Sequence, residues 1–207
     1  MTDNVHQRGF RVWGGLNGRL PPIPLRYRVA SGYQGSENAT NVDLCIGDPV
    51  KDLNSGCVAH ADAGDAILGV VVGILPYYSS SVGAMVFGDR LPGGTAYTTL
   101  YERQSFVMVQ PANGTIFEVD ADDNTTATTY GGYFALINEQ CDHVYTTGIE
   151  PKTDVNLDIS THNTTSYGWR ILDISPSLAN QDFSGANVKL LVTVNEGRLP
   201  PFSTSGV

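Results

Sequence analysis

Turn signals interrupt this chain at short intervals, and they limit its fold more than any other feature. Clusters of glycine, proline, aspartate and asparagine recur about every 8–12 residues, and no segment keeps a helical apolar period over three turns. Short stretches of alternating apolar and polar residues lie between them, as at 42–46, 115–119 and 155–159. This spacing is typical of β-sandwiches and barrels. The sequence therefore predicts an all-β fold with a compact β-barrel or sandwich body.

Several elements can be predicted individually. Strands on either side of Asn113-Gly114 are expected to form a hairpin over 105–119, because this dipeptide favours a tight turn with positive φ. Residues 132–137 are predicted to form a strand, and a single helical turn is expected at 177–181. The apolar run 66–76 is too short to cross a membrane as a helix, and its valines and glycines indicate a buried strand.

The first thirty residues differ from the rest in composition and charge. Their glycines and the proline-rich stretch 21–24 disfavour both helix and sheet pairing. Five arginines and one aspartate give residues 1–28 a net charge of +4, which leaves −13 on the rest of a chain whose total is −9. We predict an extended basic arm over 1–30, an all-β body over 31–195 and a C-terminal tail over 196–207. A division of the body into two β subdomains near 100–105 is the alternative.

Apolar side chains lie within this arm, and a free arm would expose them to water. We expect them to dock on the chain's own body or on a neighbouring subunit, and we favour the neighbouring subunit. The pentapeptide Gly-Arg-Leu-Pro-Pro occurs at 18–22 and again at 197–201. Such a repeat arises either by chance in a chain rich in glycine and proline or because arm and tail share one docking mode. The predicted interface residues are Arg8, Phe10, Arg11, Trp13, Leu16, Arg19, Leu20, Arg198 and Leu199.

Sequence motifs that carry catalysis are missing. No serine stands in a Gly-x-Ser-x-Gly pattern, and there is no His-Glu-x-x-His pair, phosphate-binding loop or dinucleotide-binding glycine motif after a strand. We therefore expect a protein that is not an enzyme, with no catalytic, cofactor-binding or metal-binding residues. A polysaccharide hydrolase is the enzyme alternative, because the separation of two catalytic carboxylates is a property of the fold.

Three local patterns have both a functional and a structural interpretation, and we favour the structural one for each. Cys141 and His143 share one face of a predicted strand but supply only two of the four ligands that zinc takes. The segment 120–124 begins like a calcium loop but lacks the glycine needed at the sixth position. Cys45 and Cys57 are expected as free thiols in a reducing cytoplasm, with a disulfide between them as the alternative.

Charge and aromatic content bear on the partner. An acidic body repels phosphates, so we expect no binding to nucleic acid, and no segment indicates a membrane partner. Tyr77, Tyr78, Tyr97 and Tyr101 could form a sugar-binding surface, although such residues more often fill cores and interfaces.

Turn-and-strand segments between about residues 45 and 195 resemble the head decoration proteins of tailed phages. The resemblance is carried by 46–50, 56–59 and 63–73, where a turn, a Gly-x-Val/Ala segment and an acidic turn precede a Gly-Val-rich strand. Segments 116–120, 169–174 and 186–195 are similar to later strands of phage head structural proteins. The family often ends in Asn-x-His, where this chain has Asn195-Glu196-Gly197.

This resemblance implies a structural role without a cofactor. It implies a protein made in the host cytoplasm that binds the outer surface of the capsid and stabilises the head by bridging major capsid protein subunits. The implied partners are the major capsid protein and further copies of this chain, as a trimer or alternatively as a dimer. The alternative function is a phage surface-binding accessory module, such as a carbohydrate-binding head fibre or tail protein.

Overall fold

The computed structural model describes residues 9–29, 43–53, 56–79, 84–91, 105–122, 125–145, 155–162, 168–177, 183–184 and 187–195. Strands account for 52% of them, and the predicted all-β fold is confirmed. Within these residues, 3-10 turns lie at Leu16–Gly18 and Ile159–Thr161. The other elements are β1 (Arg11–Gly15), β2 (Leu25–Val29), β3 (Leu44–Cys45), β4 (Pro49–Asp52), β5 (Cys57–His60), β6 (Gly69–Ile74), β7 (Tyr77–Ser79), β8 (Ala84–Val86), β9 (Arg90–Leu91), β10 (Phe106–Pro111), β11 (Thr115–Asp120), α1 (Tyr130–Ala135), β12 (Gln140–Tyr145), β13 (Val155–Asp158), β14 (Trp169–Ile174) and β15 (Lys189–Val194).

Five strands form a closed barrel in the order β10-β2-β5-β4-β6, with β6 pairing back to β10. All pairs are antiparallel except β2 with β5. Valines at alternating positions fill the interior, and Val58, Val71, Val107 and Val109 are fully buried. The short pairs β3–β9 and β7–β8 complete this half of the molecule. β-branched side chains fit such a pleated interior, so the valine-rich strands close readily around it.

A six-stranded sheet forms the other half, in the order β1-β11-β15-β14-β12-β13. A parallel bridge between Ala121 and Leu157 brings β13 back to the end of β11, so the sheet curls around its own core. Trp169, Phe117 and Tyr133 are the largest side chains that are fully buried in it. The alternation that predicted a strand over 155–159 is confirmed, because β13 turns Val155 and Leu157 to this core. β14 turns Trp169 and Ile171 to the same core.

The segment 105–119 contains the predicted turn and the predicted strands, but the predicted hairpin is wrong. Gly114 adopts a φ of 82°, as the turn requires, and the Thr115 N–H bonds the Ala112 carbonyl across it at 3.2 Å. β10 then pairs with β2 and β6 in the barrel, whereas β11 pairs with β1 and β15 in the sheet. The chain thus passes from barrel to sheet at this turn, later than the expected subdomain break near 100–105.

The strand predicted at 132–137 is also wrong, since α1 spans this region. Thr129 caps the helix, with its hydroxyl oxygen accepting from the Gly132 N–H at 3.2 Å. Tyr133 and Leu136 are buried at a helical spacing of three residues, which outweighs the β preference of the aromatic residues. Of the helical turn expected at 177–181, only Ser177 lies in the described residues, where it is not helical. None of the described helices is long or apolar enough to cross a bilayer.

Within the described residues, the predicted arm 1–30 is part of the body. β1 is a strand of the sheet and β2 is a strand of the barrel, so segment 11–29 runs antiparallel to 106–120 across both halves. Glycine-rich sequence was expected to resist pairing, yet Gly15 is required in β1. A Cβ there would lie 2.3 Å from the Arg19 carbonyl oxygen, so the chain can double back only with glycine at this position.

Candidate functional site

Segment 11–28 holds large apolar side chains in water, and we call their exposed surface the N-terminal surface. Trp13 is 47% exposed, Leu20 91% and Ile23 81%, with Leu25 at the end of the barrel also exposed. Arg19, Arg26 and Arg28 are exposed on the same segment, and the Arg26 guanidinium lies 4.9 Å from the Phe106 ring centroid. Exposed apolar groups interspersed with arginine are typical of protein interfaces.

Trp13 projects from an irregular edge strand. In β1, Val12 pairs with Phe117 and Gly14 with Ile116, so Trp13 is the extra residue of a β-bulge. Bulges bend a strand and redirect its side chains. Within the described residues β1 pairs with β11 and with no other strand, so its outer edge is open. Open edges are sites where another chain can pair or pack.

Backbone contacts fix the segment that displays Leu20 and Ile23. The Arg19 N–H bonds the Leu16 carbonyl at 3.2 Å, and the Leu16 N–H bonds the Gly114 carbonyl at 3.0 Å. Further along, the amide of the buried Gln110 donates to the Pro22 carbonyl at 2.8 Å. These bonds hold the backbone against the body, so the side chains are exposed on a fixed support. A fixed support lowers the entropy lost when a partner binds.

The predicted interface residues are divided by the structure. Trp13, Arg19 and Leu20 are exposed as an interface requires, and Leu16 is half-buried. Phe10 was predicted to anchor the chain on a partner, but it is buried in this chain's own core. Arg11 forms an ion pair with Glu118 and leaves about half of its side chain exposed. Residues Arg8, Arg198 and Leu199 lie outside the described residues.

A cluster of charged side chains lies across the outer face of β11. Glu118 is bonded by Arg11 and by the Ser175 hydroxyl, the latter at 2.9 Å. Asp120 accepts from the Lys189 ammonium at 2.5 Å, and this ammonium lies 4.0 Å from Glu118. Both carboxylates are buried and each lies beside a cation, and the Arg11–Glu118 pair ties β1 to the sheet.

Two histidines lie where the barrel meets the sheet. The ring of His143 accepts from the Trp169 indole N–H at 3.4 Å and donates through Nε2 to the Ala61 carbonyl at 2.9 Å. His60 packs against Tyr145 with ring centroids 3.8 Å apart and planes inclined by 40°. Both of its ring nitrogens are buried without a hydrogen-bond partner. Burial lowers the pKa of His60 to about 3, with His143 and Lys51 acting in the same direction and Asp65 against it. His60 is therefore a neutral packing residue at pH 7.

This histidine should make the protein less stable in acid. The unfolded chain binds a proton at His60 below about pH 6.5, whereas the folded chain does not until about pH 3. Stability contributed by the neutral ring is thus complete above pH 6.5 and falls as the pH decreases. Between pH 6.5 and pH 4.5 we expect the wild type to lose about 2 kcal/mol more than His60→Leu. Urea unfolding of both proteins at the two pH values measures the difference, and equal losses would contradict it.

The other side chains that the sequence offered as metal ligands make structural contacts instead. Asp122 accepts a hydrogen bond from the Ile159 N–H at 3.1 Å, and Asp120 pairs with Lys189. The carboxylates at the first and third positions of the calcium-like loop therefore already have partners within the protein. Cys141 is buried in the core, and burial raises its thiol pKa to about 12. Cys45, Cys57 and Cys141 are all free thiols. No group of three or more His, Cys, Asp or Glu among the described residues could hold a metal.

An aromatic pair that the sequence analysis missed lies on α1. Tyr130 is 56% exposed and Phe134 57%, and their ring centroids lie 6.1 Å apart. The sequence could have revealed this pair, because the two aromatic residues lie four positions apart after a threonine that can cap a helix. In a helix this spacing places both on one face. Of the tyrosines predicted to form a sugar-binding surface, Tyr77 is buried, and Tyr97 and Tyr101 lie outside the described residues.

Comparisons of this chain with protein-family models, with curated proteins and with solved structures found no match.

Proposed function

We propose that this protein is a structural component of a phage virion that binds the outside of the capsid and stabilises the head. The N-terminal surface carries the proposal, because Trp13, Leu20 and Ile23 are held in water on a backbone that is bonded to the body. A protein that acts alone gains nothing from fixing apolar groups in this way. A partner surface would cover them and gain their burial.

The proposed partners are the major capsid protein and further copies of this chain, with a trimer favoured and a dimer as the alternative. Charge supports a directed contact, since residues 1–28 carry +4 on a chain whose total is −9. The arginines of the N-terminal surface would meet carboxylates, which guanidinium groups bind with defined geometry. Many copies bound to one capsid would combine weak individual contacts into strong overall attachment.

Attachment can be tested with heads of the encoding phage that lack this protein. We expect Trp13→Ala/Leu20→Ala to bind at least thirtyfold more weakly than wild type, since one buried anchor contributes about 2 kcal/mol. Bound copies are counted by co-sedimentation across a dilution series. Trp13 and Leu20 lie outside both core clusters, so the variant should remain folded by circular dichroism.

Met85→Ala is the matched control, because Met85 is an exposed apolar residue on β8, which pairs with β7 and not with the strands of the N-terminal segment among the described residues. It should bind like wild type. Equal occupancy of heads by the double variant would show that the N-terminal surface is not the attachment site. Failure of the wild type to bind heads would refute the proposed function.

A further inference from the structure

We propose that the exposed face of α1 is a binding site for neutral polysaccharide. This inference is independent of the capsid-binding proposal, because it uses different residues on a different element. The site consists of the rings of Tyr130 and Phe134 with Phe183 beside them, and we call it the α1 aromatic site.

Buried neighbours fix the position of α1. Tyr133 is fully buried beneath the helix and Leu136 is buried one turn on, while Thr129 caps the first turn. Tyr130 and Phe134 therefore share the opposite, outward face of an anchored helix. Their exposure is a consequence of how the helix is packed, since turning them inward would expel Tyr133 from the core.

The rings are also held by one another. Tyr130 and Phe134 are inclined by 28°, and Phe183 meets Tyr130 edge-on with centroids 5.5 Å apart. The ring of Phe183 in turn packs against the buried Tyr133 ring, with centroids 6.0 Å apart. Aromatic rings ordered in this way lose little conformational entropy when a ligand covers them.

The lack of charge on the segment that carries α1 favours a neutral ligand. Residues 125–138 contain no charged side chain, although the whole chain carries −9. A cationic ligand would find no carboxylate in this segment, and the net charge repels an anionic polymer. Hydroxyl groups of the exposed Thr128 and of Tyr130 can donate and accept hydrogen bonds. The negative face of an aromatic ring attracts C–H groups, so a sugar ring can stack on it while its hydroxyls bond the rim.

The size of the site favours a glycan over a protein. A buried aromatic side chain covers roughly 150–250 Å², so two rings that are little more than half exposed offer on the order of 200–300 Å². A stable protein contact needs about 800 Å² on each partner. The α1 aromatic site is therefore large enough for a few sugar units and too small to hold a second copy of this chain alone.

Affinity electrophoresis of the full chain tests the proposal, with dextran, laminarin, α-mannan or galactan cast into native gels and alginate as an anionic comparison. We expect at least one neutral polymer to retard the wild type and alginate not to do so. Phe134→Ala and Tyr130→Ala should each weaken the retardation about three- to tenfold, the loss expected from one stacked ring. Phe134→Trp should retain it, because the ring face remains.

Phe87→Ala is the control, since it removes an aromatic ring that is even more exposed, from the loop that follows β8. It should migrate like wild type in every gel. The proposal is overturned if none of the four neutral polymers retards the wild type, or if Phe134→Ala is retarded as strongly as wild type. It is also overturned if either alanine variant changes the sedimentation coefficient, because the rings would then mediate self-association.

Discussion

Replacing Phe10 by alanine is expected to lower the free energy of unfolding by about 3–5 kcal/mol. Phe10 is buried and stacks on Trp169, with ring centroids 4.1 Å apart and planes inclined by 21°. It also meets Phe117 edge-on at 6.4 Å, and its N–H bonds the Gly47 carbonyl at 3.0 Å. The substitution would leave a cavity among large, fully buried rings that cannot collapse into it.

Trp13→Ala provides the control from the same N-terminal segment. Trp13 is a larger residue but is 47% exposed, so its loss should cost about 1 kcal/mol or less. Urea unfolding followed by circular dichroism measures both variants without depending on the removed tryptophan. If Phe10→Ala were as stable as Trp13→Ala, the N-terminal segment would be a detachable arm. We expect instead that deleting residues 1–20 abolishes stable folding.

Phe10 also illustrates what a sequence can predict about this molecule. The sequence indicated that the apolar residues near the N-terminus must dock somewhere, and for Phe10 this is correct. It could not reveal where, since docking on Trp169 depends on contacts between residues far apart in the chain. Trp13 and Leu20 are apolar like Phe10. Only the three-dimensional structure shows that Phe10 is buried whereas Trp13 and Leu20 are exposed.

Strands were predictable where one face is buried, and their partners were not. The alternation in β13 arises from local contact with one core, so the sequence carries it directly. Asn113-Gly114 correctly indicated a turn, but β10 and β11 leave that turn into different cores, which a local signal cannot encode. In α1, Gly131 and Gly132 weakened the helical pattern of the sequence. The helix forms because residues distant in the chain bury Tyr133, which the local sequence does not show.

A second large effect is expected at Lys189, where Lys189→Met should lower the free energy of unfolding by about 3–5 kcal/mol. Asp120 is 1% exposed and accepts from the Lys189 ammonium at 2.5 Å, while its other oxygen is buried without a hydrogen-bond partner. Removing the ammonium would leave a buried carboxylate without this cation, and the methionine stem preserves most of the packing. The expected loss of stability therefore comes from leaving a buried charge unpaired, which costs more than losing an exposed ion pair.

Two further variants separate these explanations. Lys51→Met removes a lysine that pairs with Asp65 at 2.8 Å, but this carboxylate is 29% exposed and can be solvated, so a loss of about 1 kcal/mol is expected. Asp120→Leu/Lys189→Met removes both charges and should recover most of the stability, because replacing a whole buried pair by apolar groups is often neutral. Urea unfolding of the four proteins gives the comparison. A double variant as unstable as Lys189→Met would show that lost packing of the lysine stem, and not the stranded Asp120 carboxylate, sets the cost.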